Sequence, residues 1–542
     1  MRYNVRFWGG AACVALGWVV LIALLVGLQS TGQGFGFNVW WIGETRNWLS
    51  FLQDGVGSEV AQTFWKVDSR NPLSPWWYIP FRSFILTTPS AFLVLHLFTS
   101  LLLGLASYAV IMSITDGRAR SFAISLGAVS AVFLCSSKFD GIHWNFVGAL
   151  AFSLLCVWCF SEYLRSGRQR QVWLMWSLVA WLVAVQSYTI QTGAALAVGV
   201  LSFLEFGWPH SLRDVLKRLG RGITDMLPYF VALFLFVLIW RTTAATGITD
   251  AVANPTLSLI GQSLLQGIWH NDYSFYWALV QQLDPRLVVG VIVIITTLFI
   301  IAISYVDRAK VDDAIGTPDL LRVLLVGICL VVPTIVIEVT SVWFPPGSRW
   351  VMLLQFWTPL MLLSVVAVLF AIWPSRRRWR VWTWRGVTGL TVSGAVLLTL
   401  AYNQLQVRVS QVEQLFISEL RKIALEDKQT GAEFPRHYLI LVAPGAGTPS
   451  DWVSRAYTKT SMSDVGEVTY RHVLPTPVPA GYEIAFGPDA VRNPEFSRNG
   501  SAPYSRVAVL SWDGIKMTRV PNPDRSIFEG RTVLWERAAP LP

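Results

Sequence analysis

The chain reads as an all-α polytopic membrane domain followed by a small mixed α/β domain, on three grounds. Hydrophobic residues make up 53% of the sequence against 14% charged, and the mean hydropathy is +0.48, values typical of polytopic membrane proteins. Apolar runs long enough to cross a bilayer recur as far as residue 403. Beyond that point the pattern changes to short β-branched segments separated by Pro and Gly.

A hydrocarbon core about 30 Å thick takes roughly 17–25 apolar residues of helix. By that criterion the spans fall near 8–29, 84–114, 121–137, 144–164, 172–187, 190–207, 227–243, 286–305, 321–343, 350–373 and 387–403, about eleven in all. The first has Arg2 and Arg6 before it, is too long for a cleaved signal and lacks a small-residue cleavage site, so it is expected to stay as a membrane helix.

Orientation is read from the basic residues. Arg118 and Arg120; Arg165, Arg168 and Arg170; Arg213, Lys217, Arg218 and Arg221; Arg308 and Lys310; and Arg376 to Arg380 fall in alternate loops, on the side of the N-terminus. Cytoplasmic loops collect Lys and Arg, so the N-terminus is expected inside and the C-terminal domain outside. The net charge of +10 is thus topological, and no nucleic-acid partner is expected. Cys13, Cys135, Cys156, Cys159 and Cys329 all lie in or beside apolar spans, so neither a disulfide framework nor a zinc site is supported.

On the outer side the first loop, 32–81, is long and aromatic and carries Glu44, Asp54, Glu59 and Asp68. Its aromatic groups, Trp40, Trp41 and Trp48, then Trp65, then Trp76 and Trp77, recur as on a helix lying at the bilayer surface. Such a loop presents its acids just above the headgroups. The same side collects the turn from Lys138 to His143, the loop 244–285 and the tight turn Pro345-Pro346-Gly347-Ser348-Arg349-Trp350.

After residue 403, Val409, Val412, Phe416, Leu420 and Ile423 trace an amphipathic helix. Strands are expected at 437–442, 468–473, 482–486, 506–512 and 532–536. The domains are therefore 1–403, membrane-embedded, and 404–542, α/β and extracytoplasmic.

The run Asp68-Ser69-Arg70-Asn71-Pro72-Leu73-Ser74-Pro75, followed by an aromatic entry into the second span, resembles a pattern of bacterial membrane glycosyltransferases of the C-type (GT-C) fold. The layout is also similar: one span, a long acidic outer loop, a hairpin-rich bundle, a late outer Arg and an outer C-terminal domain. The resemblance covers roughly residues 5–403. It implies a location in the bacterial inner membrane, a polyprenyl-phosphate sugar donor, a cell-envelope glycan or glycolipid acceptor, and a first-loop acid that takes the acceptor proton. Such enzymes often carry an acidic pair soon after the first span, where this chain reads Phe37-Asn38-Val39-Trp40.

Sugar transfer needs a carboxylate to accept a proton and cations to hold the departing phosphate. Glu44 is the first candidate for the base, then Asp54 and Asp68; each is also explicable as a solvated loop acid. Arg349, in a tight turn where a guanidinium can fork two oxygens, is the candidate for the phosphate, with Arg70 beside the acids. Interfacial snorkelling next to Trp350 explains Arg349 equally well. Glu338, near the outer end of its span, either supports the site or neutralises Arg349. Asp140 and His143 in one turn, and Trp269, His270 and Asp272 in the longer loop, suit acceptor or sugar binding. Helix capping by Asp140 and an interfacial aromatic belt are the competing explanations. Glu44 and Asp68 could share a divalent cation, a thin ligand set; no other cofactor is expected. Asp312-Asp313 falls in an inner loop and is set aside. Two further classes stay open: a transporter or flippase of lipid-linked sugar, and a non-catalytic assembly partner.

Overall fold

The computed structural model describes residues 5–28, 79–81, 91–117, 119–133, 144–187, 193–205, 209–243, 277, 280–306, 319, 321–330, 377–430, 437–442, 482–486 and 507–521. These fall into two units, divided between Asn403 and Gln404.

The first unit is helical. Its elements are α1 (Val5–Leu28), α2 (Ala91–Ile114), α3 (Arg120–Phe133), α4 (Trp144–Arg165), α5 (Gln171–Ser187), α6 (Gly193–Phe203), α7 (Leu212–Thr243), α8 (Pro285–Val306) and the first half of α9 (Arg377–Gln429). A further helical stretch runs over Leu321–Leu330. Each overlaps an apolar run expected to be helical.

Two expectations are corrected. Among the described residues, four helices are long and apolar enough to cross a membrane, with spans at Leu97–Ile114, Leu212–Leu238, Pro285–Ser304 and Trp382–Ala401, fewer than about eleven. The other apolar helices are described over shorter stretches, Phe7–Ala23, Phe122–Val132, Gln171–Ser187, Gly193–Phe203 and Leu321–Leu330, and the span expected at 350–373 lies outside the described residues. The second correction concerns continuity. The expected spans 227–243 and 387–403 are parts of longer helices, α7 of 32 residues and α9 of 53. Polar flanking segments join these helices because helix propensity, unlike bilayer partitioning, does not require apolar residues.

Apolar surfaces alone do not order helices in lipid, so small residues and hydroxyls set the crossings. At α2 and α3, a Cβ on Gly104 would lie 2.6 Å from Ala131 Cβ and 2.7 Å from the Gly127 carbonyl, so the backbones meet where only glycine fits. Ser125 on α3 donates to Thr388 on α9 (3.0 Å), and Thr399 on α9 donates to the Val132 carbonyl (3.1 Å). Trp18 on α1 donates to the Leu97 carbonyl of α2 (2.8 Å). Inside the bundle, Ser177 on α5 donates to the Cys156 carbonyl of α4 (2.7 Å), which leaves Tyr229 on α7 to donate to Ser177 at 2.6 Å. One buried hydroxyl thus fixes three helices.

The second unit contains the rest of α9 and a sheet of β1 (His437–Val442), β2 (Tyr482–Phe486), β3 (Val507–Trp512) and β4 (Met517–Arg519), in the order β2-β1-β3-β4. Strands β2, β1 and β3 are parallel and β4 is antiparallel. Ala508, Val509 and Leu510 are buried in succession, so β3 is covered on both faces as parallel strands are. The tail of α9 lies along β4: Met517 N donates to Glu419 and Arg519 to Asp427 at 2.6 Å. The strands expected at 437–442, 482–486 and 506–512 are present, and β4 is an addition. Those expected at 468–473 and 532–536 lie outside the described residues.

Candidate functional site

The polar centre of the first unit forms where helix ends meet. Helix α2 ends in a Schellman turn: Gly117 N donates to the Met112 carbonyl (2.8 Å) and Asp116 N to Ser113 (3.3 Å), with Asp116 and Gly117 at φ 52° and 78°. Helix α4 ends the same way. Arg168 N donates to the Tyr163 carbonyl (3.1 Å) and Gly167 N to Leu164 (2.9 Å), with Gly167 at φ 63° and Arg168 at φ 65°. Positive φ is unusual for arginine; here it turns the chain so that the guanidinium reaches neighbouring helices.

Two charged nodes follow from these caps. In the first, Arg165 in the last turn of α4 pairs with Asp116 at the α2 cap (2.9 Å) and with Glu162 (3.2 Å). Glu162 is buried and also accepts a hydrogen bond from Ser113 on α2 (2.8 Å). Arg165 therefore places a cation beside helix carboxyl ends, the favoured sign there.

In the second node, Arg168 donates to Asp225 on α7 (2.9 Å), to Glu205 just past α6 (2.9 Å) and to Ser202 on α6 (3.2 Å). Ser202 in turn donates to the second oxygen of Asp225. Arg221, one turn before Asp225, stands 3.9 Å from Glu205. Burial taken alone would depress the Arg168 guanidinium, but the hydrogen bonds and charges of Glu205 and Asp225 outweigh it and hold its pKa above the ordinary value. The cation is thus permanent, and it ties the α4–α5 turn to α6 and α7.

Chemically these nodes hold helices and do not present a nucleophile or an open carboxylate pair. Among the described residues no group of three or more His, Cys, Asp or Glu is placed to hold a metal.

The residues expected to form an outer site, Glu44, Asp54, Asp68, Arg70, Asp140, His143, Trp269, His270, Asp272, Glu338 and Arg349, all lie outside the described residues. No protein-family model matches the chain, and neither a curated protein nor a solved structure matches it.

Asp116, Glu162, Glu205 and Asp225 were not singled out by sequence reasoning, which treated the adjoining arginines as topological markers. The available signal was the one applied to Glu338: an ionisable residue inside or at the edge of an apolar span needs a partner or a purpose. Glu162 and Glu205 both satisfy it.

Proposed function

We propose that this protein is an integral membrane glycosyltransferase that moves a sugar from a polyprenyl-phosphate donor to a cell-envelope glycan or lipid acceptor on the outer side of the membrane. The observation carrying the reading is the layout: an apolar helical unit, a long acidic loop with the run Asp68 to Pro75, and a terminal helix leading into a separate sheet-bearing unit. A lipid-linked donor requires a protein that can accept an isoprenoid chain within the bilayer.

In this reading Glu44 takes the proton of the acceptor hydroxyl as the new glycosidic bond forms, and Arg349 holds the polyprenyl phosphate that leaves with the bonding electron pair. The second unit orients the acceptor. The orientation proposed places the N-terminus in the cytoplasm and the second unit outside.

The test is sugar transfer from a polyprenyl-phosphate donor by purified protein, with donor affinity measured separately. Glu44→Gln should reduce the rate by about 10²–10⁴ while leaving donor binding intact. Arg349→Lys should weaken both, because the bidentate fork is lost. Wild-type turnover in Glu44→Gln removes Glu44 from the mechanism. Absence of transfer by the wild type with any such donor transfers the weight to a lipid-linked-sugar transporter.

A further inference from the structure

Helix α7 is longer than a bilayer core requires. Its 32 residues extend about 48 Å, against a core of about 30 Å. If the apolar end fills the core, the first three turns stand in the headgroup layer. These turns are well-formed helix and not a frayed end. Ser211 accepts a hydrogen bond from Asp214 N (3.2 Å), Asp214 accepts from His210 N (3.4 Å), and Arg218 pairs with Asp214 at 2.7 Å.

The outward face of these turns is apolar. Leu212, Leu216, Leu219 and Ile223 are 50–75% exposed and recur at intervals of four, three and four residues, one stripe on the helix. The stripe continues without a break into Leu227, Phe230, Phe234 and Leu238, exposed residues of the membrane span. It is therefore one surface with the lipid-facing side of α7. The exposed arc of these turns runs from the stripe across Arg213 and Lys217, about 90° and 130° from the stripe's centre, while the buried Gly222 and Arg218 lie on its other flank.

We propose that residues 212–223 form an interfacial segment that seats on anionic phospholipid, with Leu212, Leu216, Leu219 and Ile223 entering the acyl boundary and Arg213 and Lys217 binding the headgroup phosphates. Two observations select this occupant over a protein partner. The stripe is continuous with a face that must meet lipid, and the flanking charge is positive, complementary to an anionic headgroup layer. The Arg168–Asp225 pair holds α7 against the bundle just beyond this segment, so the stripe is presented at a set rotation.

The experiment is native mass spectrometry of the full-length protein released from detergent, titrated separately with phosphatidylglycerol and phosphatidylcholine. The wild type should take phosphatidylglycerol in preference. Arg213→Gln with Lys217→Gln should lower that association constant by about tenfold or more, each basic side chain at an anionic surface being worth roughly a factor of five. Phosphatidylcholine binding should be unchanged. The control, Arg286→Gln with Lys516→Gln, removes the same charge from exposed positions elsewhere and should keep the preference. The proposal is overturned if the double variant retains full preference, if it loses both lipids equally, or if Leu216→Gln dissociates a dimer, which would mean that a second copy covers the stripe. Both substituted residues are exposed; a folded state is checked by an unchanged melting temperature. Should the double variant melt early, Arg213→Lys with Lys217→Arg must restore phosphatidylglycerol binding, and failure to do so also overturns the proposal.

Discussion

Arg168 donates to Asp225 at 2.9 Å across a chain separation of 57 residues, and the same guanidinium reaches Glu205 at 2.9 Å. One side chain at a helix-end turn thus bridges two carboxylates on two other elements.

Loss of that cation should be costly. Arg168→Gln leaves Asp225 without its paired cation and Glu205 with only Arg221, 3.9 Å away, both carboxylates being largely buried. Breaking a buried pair costs 3–5 kcal/mol; with Arg168 partly exposed, about 2–3 kcal/mol is expected. Thermal unfolding in detergent should show it. Adding Asp225→Asn should recover part of the loss, and a strictly additive pair would count against direct coupling.

The α2–α3 crossing should tolerate no side chain. Gly104→Val puts a branched group where even a Cβ would lie 2.7 Å from the Gly127 carbonyl, which is backbone and cannot swing aside. Separation of the helices should cost at least about 3 kcal/mol, read as a marked fall in folded yield and melting temperature. Gly394→Ala, with nothing within 4 Å of its Cβ, is the neutral comparison.

In the second unit, the hairpin between β3 and β4 should loosen in acid. Backbone amides of Lys516 and Ile515 donate to the Asp513 carboxylate, at 2.7 and 2.8 Å, and hold its pKa below the usual carboxylate range. A depressed folded pKa means that the contribution is complete above the unfolded value, near about 3.9, and is lost as pH falls through the folded one. Hydrogen exchange at Ile515 and Lys516, corrected for the intrinsic rate, should therefore keep its protection at neutral pH and lose it in strong acid. Asp513→Asn should remove most of the pH dependence.

The proposed orientation has a direct check. Ile515 is 74% exposed, whereas Cys13, Cys156 and Cys159 are buried. A cysteine introduced at position 515 should react with a membrane-impermeant thiol reagent in intact spheroplasts, above the background of the parent protein. Labelling only after lysis would put the second unit inside and displace the proposed outer site with it.

Much of the helical layout was legible beforehand because a bilayer-crossing requirement is local: an apolar run such as 8–29 or 286–305 declares itself whatever its neighbours are, and α1 and α8 fall there. The same holds for the strands at 437–442, 482–486 and 507–512, whose β-branched and aromatic residues stand between Pro and Gly. Hydropathy could not join the charged start of α7 to its apolar end. It marked Arg168 as one of three loop arginines and was silent on Asp225 and Glu205, because an ion pair depends on where distant helices place their ends. The order β2-β1-β3-β4 likewise arises from pairing between segments far apart in the chain. Composition and periodicity determined which stretches must leave water; the packing of helix ends, through glycine contacts, Schellman turns and shared carboxylates, decided which charges could follow them.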